Sequence, residues 1–127
     1  NSQILSMAAT IATLESVSMP GFHNDLNDKS TKLQEGIEKA FADAGVQASI
    51  AGFPGFIHVG LGLTKKPREY RDLIAIDKDR YRAFCHAMLK RGVRALERGA
   101  WFVSCTHTDD ILDETIAMAR EAAKEIA

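Results

Sequence analysis

Two short runs of residues in the middle of the chain replace the helical apolar period with a two-residue period. Ile57, Val59 and Leu61 alternate with histidine and glycine, which places the three apolar side chains on one face of a strand. Residues 46–53 also lack the helical period, and the segment Gly52-Phe-Pro-Gly55 is typical of a turn. We therefore predict two strands, at 46–53 and 56–63, joined by this turn.

Helical periodicity dominates the rest of the chain. Apolar residues recur there every three or four positions, as they do along the buried stripe of an amphipathic helix. The four predicted helices are 4–17, 23–44, a helix capped near Asp77 or Asp79 with Gly92 just past its end, and a final helix that opens at Thr108 or Asp109.

The remaining segments complete the predicted fold. Residues 64–78 are polar and irregular, which favours a surface loop, whereas 93–96 and 101–105 are predicted to form two further strands. Because strands and helices are interleaved, we predict an α+β fold, with a small, mostly antiparallel sheet and helices covering one face. A length of 127 residues suits one compact domain.

Composition narrows the setting of the protein. An apolar run of about 18 residues is lacking, so we expect no membrane-spanning segment. The two cysteines, Cys85 and Cys105, are too few for a disulfide framework and favour a cytoplasmic location. Each cysteine has a nearby histidine, His86 or His107, but adjacent helical residues point in different directions and the spacing does not suit zinc. We predict no metal site, with Cys85 in the core and Cys105 continuing a buried strand.

Charge is distributed unevenly along the sequence. Residues 64–98 hold eleven Lys or Arg and five Asp or Glu, a net charge of +6, whereas the remainder carries −7. Such a basic centre is compatible with an anionic ligand, a neighbouring subunit or solvated helix faces. Tyr70 and Tyr81 are the only nearby aromatic residues expected to be exposed, so we do not predict nucleic-acid binding. A free-standing α+β binding module for an anionic partner remains an alternative.

Two linked patterns in the second half of the chain resemble a known family. They are F-x-x-x-M-L-x-x-G-V from Phe84 and F-V-S-x-x-H-T-x-D-I-x-x-T from Phe102. Together they resemble the C-terminal part of class III aminotransferases that depend on pyridoxal 5'-phosphate (PLP), especially the glutamate-1-semialdehyde aminomutase group. The helix 4–17 is similar to the helix that follows the cofactor-binding half of these enzymes.

The resemblance implies a fold-type I enzyme whose small C-terminal domain closes over an active site built mainly elsewhere. It divides the chain into a helix, 1–20, that links to an upstream large domain, and a small domain, 21–127. The chain opens Asn1-Ser2-Gln3 and enters the helical pattern at once, which favours a segment cut from a longer protein. The full-length enzyme is then expected to be a homodimer that binds PLP and a small amino donor and acceptor.

The same resemblance places the lysine that forms the Schiff base with PLP upstream of this chain. We therefore expect no catalytic, cofactor-binding or metal-binding residue here, and no activity from the chain alone. Arg98-Gly99 is similar to β-amino-acid aminotransferases, in which a small-domain arginine contacts a substrate carboxylate. Arg98 is accordingly predicted to bind substrate; the alternative is a surface arginine paired with Glu97 or Asp109. The substrate stays open between a semialdehyde, as for an aminomutase, and an amine or β-amino acid, as for a transaminase.

Overall fold

The computed structural model describes residues 3–127, which form helices around a small sheet. The elements are α1 (Ile4–Val17), α2 (Phe22–Asp43), β1 (Ala48–Phe53), β2 (Phe56–Leu61), a 3-10 helix (Tyr70–Ala75), α3 (Lys78–Lys90), β3 (Ala100–Phe102) and α4 (Asp109–Glu125). Asn1 and Ser2 lie outside the described residues. The predicted 1–20 segment and the expected start of a segment cut from a longer protein fall partly on these two residues.

The sheet has the order β1-β2-β3, and both strand pairs are antiparallel. Ile50 lies opposite Val59, and Ile57 lies opposite Trp101. These four side chains are buried in one core with residues of α2, α3 and α4. The predicted α+β class, with helices on one face of the sheet, is confirmed, and the three strands are antiparallel throughout.

Helix α3 begins and ends where local capping signals place it. The Asp77 carboxylate accepts a hydrogen bond from the Arg80 backbone N–H at 3.0 Å, and Gly92 has a φ of +87° just past the C-terminus. The N–H groups of Gly92 and Val93 donate to the carbonyls of Leu89 and Met88, each at 3.0 Å. These two hydrogen bonds together form the Schellman motif, a common cap of a helix C-terminus.

That cap explains why the predicted strand at 93–96 is wrong. The Val93 N–H is already used by the end of α3, and residues 93–96 have no regular structure. The neighbour of β2 in the sheet is instead Ala100–Phe102. The predicted loop at 64–78 was incomplete as well, because it contains the 3-10 helix.

The predicted strand at 101–105 ends early, at Phe102. The chain turns after it, since the His107 N–H donates to the Ser104 carbonyl at 3.1 Å and the hydroxyls of Ser104 and Thr106 lie 2.9 Å apart. Cys105 is therefore exposed, and the prediction that it continues a buried strand is wrong. Cys85 is buried in the core, as predicted.

Two apolar surfaces are left uncovered by the described residues. Helix α1 has no buried residue, and Ile4 and Leu5 are 83% and 84% exposed. On the sheet face away from the helices, the Phe56 ring contacts those of Phe53 and Phe102, with ring centroids 5.3 and 5.4 Å apart. No helix among residues 3–127 has the length and apolarity that crossing a membrane requires.

Candidate substrate-binding cleft

A cleft of about 650 Å³ separates the 3-10 helix from the turn at residues 96–99. Its lining combines apolar and charged side chains, as binding sites for small amphipathic molecules do. The lining includes Tyr70 and Ile74 from the 3-10 helix, His58 from β2, Arg82 from α3, and Glu97 and Arg98 from the turn.

The turn that carries Arg98 depends on the glycine that follows it. The Gly99 N–H donates to the Leu96 carbonyl at 3.1 Å, which closes the turn. Gly99 has a φ of +86°, and a Cβ at this position would lie 2.6 Å from the Val59 carbonyl oxygen. Only glycine fits this backbone without strain. Gly99 therefore allows a tight turn to pack on β2, and Arg98 lies in this turn beside the cleft.

The structure leaves the Arg98 guanidinium without an ion pair among residues 3–127, and the side chain is exposed. Glu97 instead lies 3.6 Å from Arg82 Nε and 3.8 Å from His86 Nε2. Asp109 is held by Lys32 at 2.9 Å. Arg98 is thus a surface arginine, and neither the pair with Glu97 nor the pair with Asp109 is formed.

His58 gives the cleft a polar group that is half buried next to the Arg98 backbone. Burial lowers the pKa of His58 below its usual value of 6.5, and the backbone of Arg98 opposes that shift. The imidazole is therefore uncharged at neutral pH. It adds no positive charge to a cleft that already contains two guanidinium groups, and it keeps both a donor and an acceptor.

A covalent PLP site was not expected in this chain, and none of its eight lysines is buried. Such a site needs a lysine held in a pocket where its amine loses its proton readily. Four lysines are paired with carboxylates: Lys29, Lys32, Lys90 and Lys124. Hydrogen bonds to Asp113 and Asp109 even raise the pKa of Lys32. The other four, Lys39, Lys65, Lys66 and Lys78, are exposed, and Lys78 also lines the cleft.

The two cysteines and the basic centre at residues 64–98 are the other features considered from the sequence. Cys85 lies in the core and Cys105 on a surface loop, and no group of three metal-ligating side chains occurs within the described range. The basic centre is partly neutralised, because Arg82 pairs with Asp79 and Arg91 with Glu125, each at 2.9 Å. These ion pairs lower the positive charge that the basic centre presents to an anionic partner.

One hydrogen-bonded contact beside the cleft was not identified from the sequence. Trp101 Nε1 donates to the Tyr81 hydroxyl at 2.8 Å, and that hydroxyl donates to the Leu96 carbonyl at 3.2 Å. Tyr81 is 2% exposed, so the expectation that it is an exposed aromatic is wrong. Its burial raises the pKa of its hydroxyl well above the usual range. Tyr81 is 15 residues from Leu96 and 20 from Trp101 in sequence, so no local pattern signals these contacts.

The fold of the chain matches part of a transaminase. An omega-transaminase from Sphaerobacter thermophilus superposes with a TM-score of 0.81 at 18% identity, over 94% of this chain and 27% of that one. Residues 3–127 thus have the architecture of one segment of such an enzyme.

Curated sequences narrow the resemblance further. The chain is similar to the glutamate-1-semialdehyde 2,1-aminomutases of Laribacter hongkongensis, at 35% identity over 96% of the chain, and of Leptothrix cholodnii, at 36% over 93%. It spans 29% and 28% of those proteins, at their C-terminal end. No protein-family model matches. The resemblance to the glutamate-1-semialdehyde aminomutase group is confirmed over nearly the whole chain.

Proposed function

We propose that this chain is the C-terminal small domain of a PLP-dependent aminotransferase or aminomutase. The observation that carries the proposal is the agreement of two independent matches over more than nine-tenths of the chain, one in sequence with aminomutases and one in fold with a transaminase. In this proposal the full-length enzyme acts on a small amino donor and acceptor. It works in the cytoplasm as a homodimer, and the Schiff-base lysine and most PLP contacts precede residue 1.

The uncovered apolar surfaces support a division of the chain into a linking helix and a small domain. The side chains of α1 are exposed on all sides, including Ile4, Leu5 and Ile11. Exposed apolar residues in such number on one helix indicate a surface that neighbouring structure covers. We assign residues 1–20 to the link with an upstream large domain, which covers α1, and residues 21–127 to the small domain.

Within this enzyme, Arg98 binds the carboxylate of the substrate. A guanidinium offers two parallel N–H donors to a carboxylate, and the Arg98 side chain is exposed at the cleft, where the acid of the lining, Glu97, lies beside Arg82. The facing side chains of Tyr70 and Ile74 are apolar and exposed, so they contact the body of the bound molecule. A semialdehyde with a carboxylate and a β-amino acid both satisfy this arrangement, whereas a simple amine has no carboxylate for Arg98 to bind.

The proposal is tested by locating the PLP in the full-length protein. The protein is mixed with PLP, reduced with borohydride, digested and mapped by mass spectrometry. We expect one modified lysine, and we expect it outside this 127-residue chain. The 127-residue chain alone, treated in parallel, should show no stoichiometric modification. Specific modification of one of its eight lysines, or no PLP binding by the full-length protein, would contradict the proposal.

A further inference from the structure

We propose that the Tyr81 hydroxyl is a positioning group that holds the turn at residues 96–99 and thereby aims Arg98 into the cleft. This inference rests on the proposed role of Arg98 in binding a carboxylate. Tyr81 itself is placed behind the turn, where it acts on the substrate only through the backbone.

The contacts form one continuous chain from the core to the turn. Trp101 Nε1 donates to the Tyr81 hydroxyl at 2.8 Å, and the hydroxyl donates to the Leu96 carbonyl at 3.2 Å. The same carbonyl accepts the Gly99 N–H at 3.1 Å. The Leu96 carbonyl thus accepts two hydrogen bonds, one from Tyr81 in the core and one from Gly99 at the end of the turn. Arg98 lies in the turn between Leu96 and Gly99.

The buried part of this hydrogen-bond network makes the loss of a partner costly. Tyr81 is 2% and Trp101 7% exposed, whereas Leu96 is 46% exposed, so water is excluded from the bond between the indole and the hydroxyl. Removing the hydroxyl leaves the indole N–H buried without an acceptor and leaves Leu96 with only the bond from Gly99. Unpaired buried polar groups are costly, and without the hydroxyl the turn also loses the bond that ties it to the core. Recognition of a carboxylate by a guanidinium fork depends on geometry, so a looser turn weakens it.

A proton-transfer role for Tyr81 does not fit the same contacts. Its hydroxyl proton is directed at the Leu96 carbonyl, and the oxygen accepts the indole N–H. Both functions of the group are therefore occupied by the protein itself.

Hydrogen–deuterium exchange in the full-length protein tests the inference without reference to activity. Tyr81→Phe removes the hydroxyl and keeps the ring. We expect backbone exchange in a peptide covering residues 93–100 to be about 2- to 10-fold faster than in the unaltered protein, the factor that loss of one buried hydrogen bond predicts. If the Tyr81→Phe protein does not fold, Trp101→Phe, which removes the donor to Tyr81, is expected to raise exchange in the same peptide.

A matched control is the buried hydroxyl of Ser30, which donates to the Leu26 carbonyl at 2.7 Å and accepts the Gly55 N–H at 2.8 Å. Ser30→Ala removes a comparable bond that does not involve the turn. Its exchange in the 93–100 peptide should match that of the unaltered protein. Unchanged exchange in Tyr81→Phe, or equal acceleration in both variants, would overturn the inference.

Kinetics then separate failure of the inference from failure of the proposed function. In the full-length enzyme, Tyr81→Phe should raise KM for carboxylate-bearing amino donors by about 2- to 10-fold and change kcat little, with simple amines unaffected. If Arg98→Lys discriminates between the two donor types and Tyr81→Phe does not, the positioning role is wrong. If Arg98→Lys does not discriminate, the carboxylate role of Arg98 is wrong, and the exchange result still decides whether Tyr81 holds the turn.

Discussion

The backbone N–H of Val59 donates a 2.8 Å hydrogen bond to the carbonyl of Gly99. The bond attaches the turn that carries Arg98 to the central strand of the sheet, two residues before the strand ends. Because β2 is the central strand and pairs with β1 and β3, this bond ties the backbone next to Arg98 to the sheet. Several properties of the protein should depend on this attachment.

Replacing Gly99 with alanine should be more damaging than replacing a glycine of similar conformation elsewhere. At Gly99 a Cβ meets the positive φ and also lies 2.6 Å from the Val59 carbonyl oxygen. We expect Gly99→Ala to lower the free energy of unfolding by about 2–4 kcal/mol, measured by urea denaturation. Gly92→Ala is the control, because its φ is +87° with nothing within 4 Å, and it should cost about 1–2 kcal/mol. Equal losses of unfolding free energy in the two variants would show that the close contact with the Val59 carbonyl does not affect stability.

Mild acid should destabilise the protein through His58. Burial lowers the pKa of this imidazole in the folded state below 6.5, so the unfolded chain binds its proton first. Its contribution to stability is therefore complete above about pH 6.5 and is lost as the pH falls toward the lowered value. We expect His58→Gln to flatten the pH dependence of the denaturation midpoint between pH 7.5 and about pH 5.

The control for that measurement is His23→Gln on α2, where the side chain is exposed. It should leave the slope as it is in the unaltered protein. A slope that persists in His58→Gln would assign the acid sensitivity to other groups.

The 127-residue chain by itself should expose apolar surface. Ile4, Leu5 and Leu14 on α1 are 83%, 84% and 56% exposed, and such a surface favours self-association. We expect the isolated chain to bind an apolar fluorescent dye and to scatter light above the monomer level. Replacing Leu5 and Leu14 with serine should reduce both signals, whereas Thr13→Ser on the same helix should not. A monodisperse monomer without dye binding would favour an autonomous domain over the proposed linking helix.

Features that depend on neighbouring residues could be predicted from the sequence. The alternation of Ile57, Val59 and Leu61 defined β2, and Asp77 marked the start of α3, because periodicity and capping act within a few residues. The prediction failed where two local signals in the same residue favoured different structures. Val93 is apolar and suits a strand, yet its N–H completes the cap of α3.

The candidate cleft was only partly visible in the sequence for the opposite reason. Arg98 and Gly99 stood out as adjacent residues, whereas Tyr81, Leu96 and Trp101 meet through long-range packing. The acids expected to pair with Arg98 were assigned from proximity along the chain. In the fold, helix α3 brings Arg82 to Glu97, and α2 brings Lys32 to Asp109, which leaves Arg98 available to a ligand.

The most direct test of the central claim, that Arg98 binds a substrate carboxylate, is the steady-state kinetics of Arg98→Lys in the full-length enzyme. The donors compared are carboxylate-bearing amino compounds and simple amines. Loss of the two-donor fork should reduce kcat/KM for the carboxylate-bearing donors through KM, by about 1.5–3 kcal/mol more than for simple amines. Arg94→Lys, an exposed arginine outside the cleft lining, should change neither donor class. Equal losses for both classes in Arg98→Lys, or no loss for either, would contradict the account.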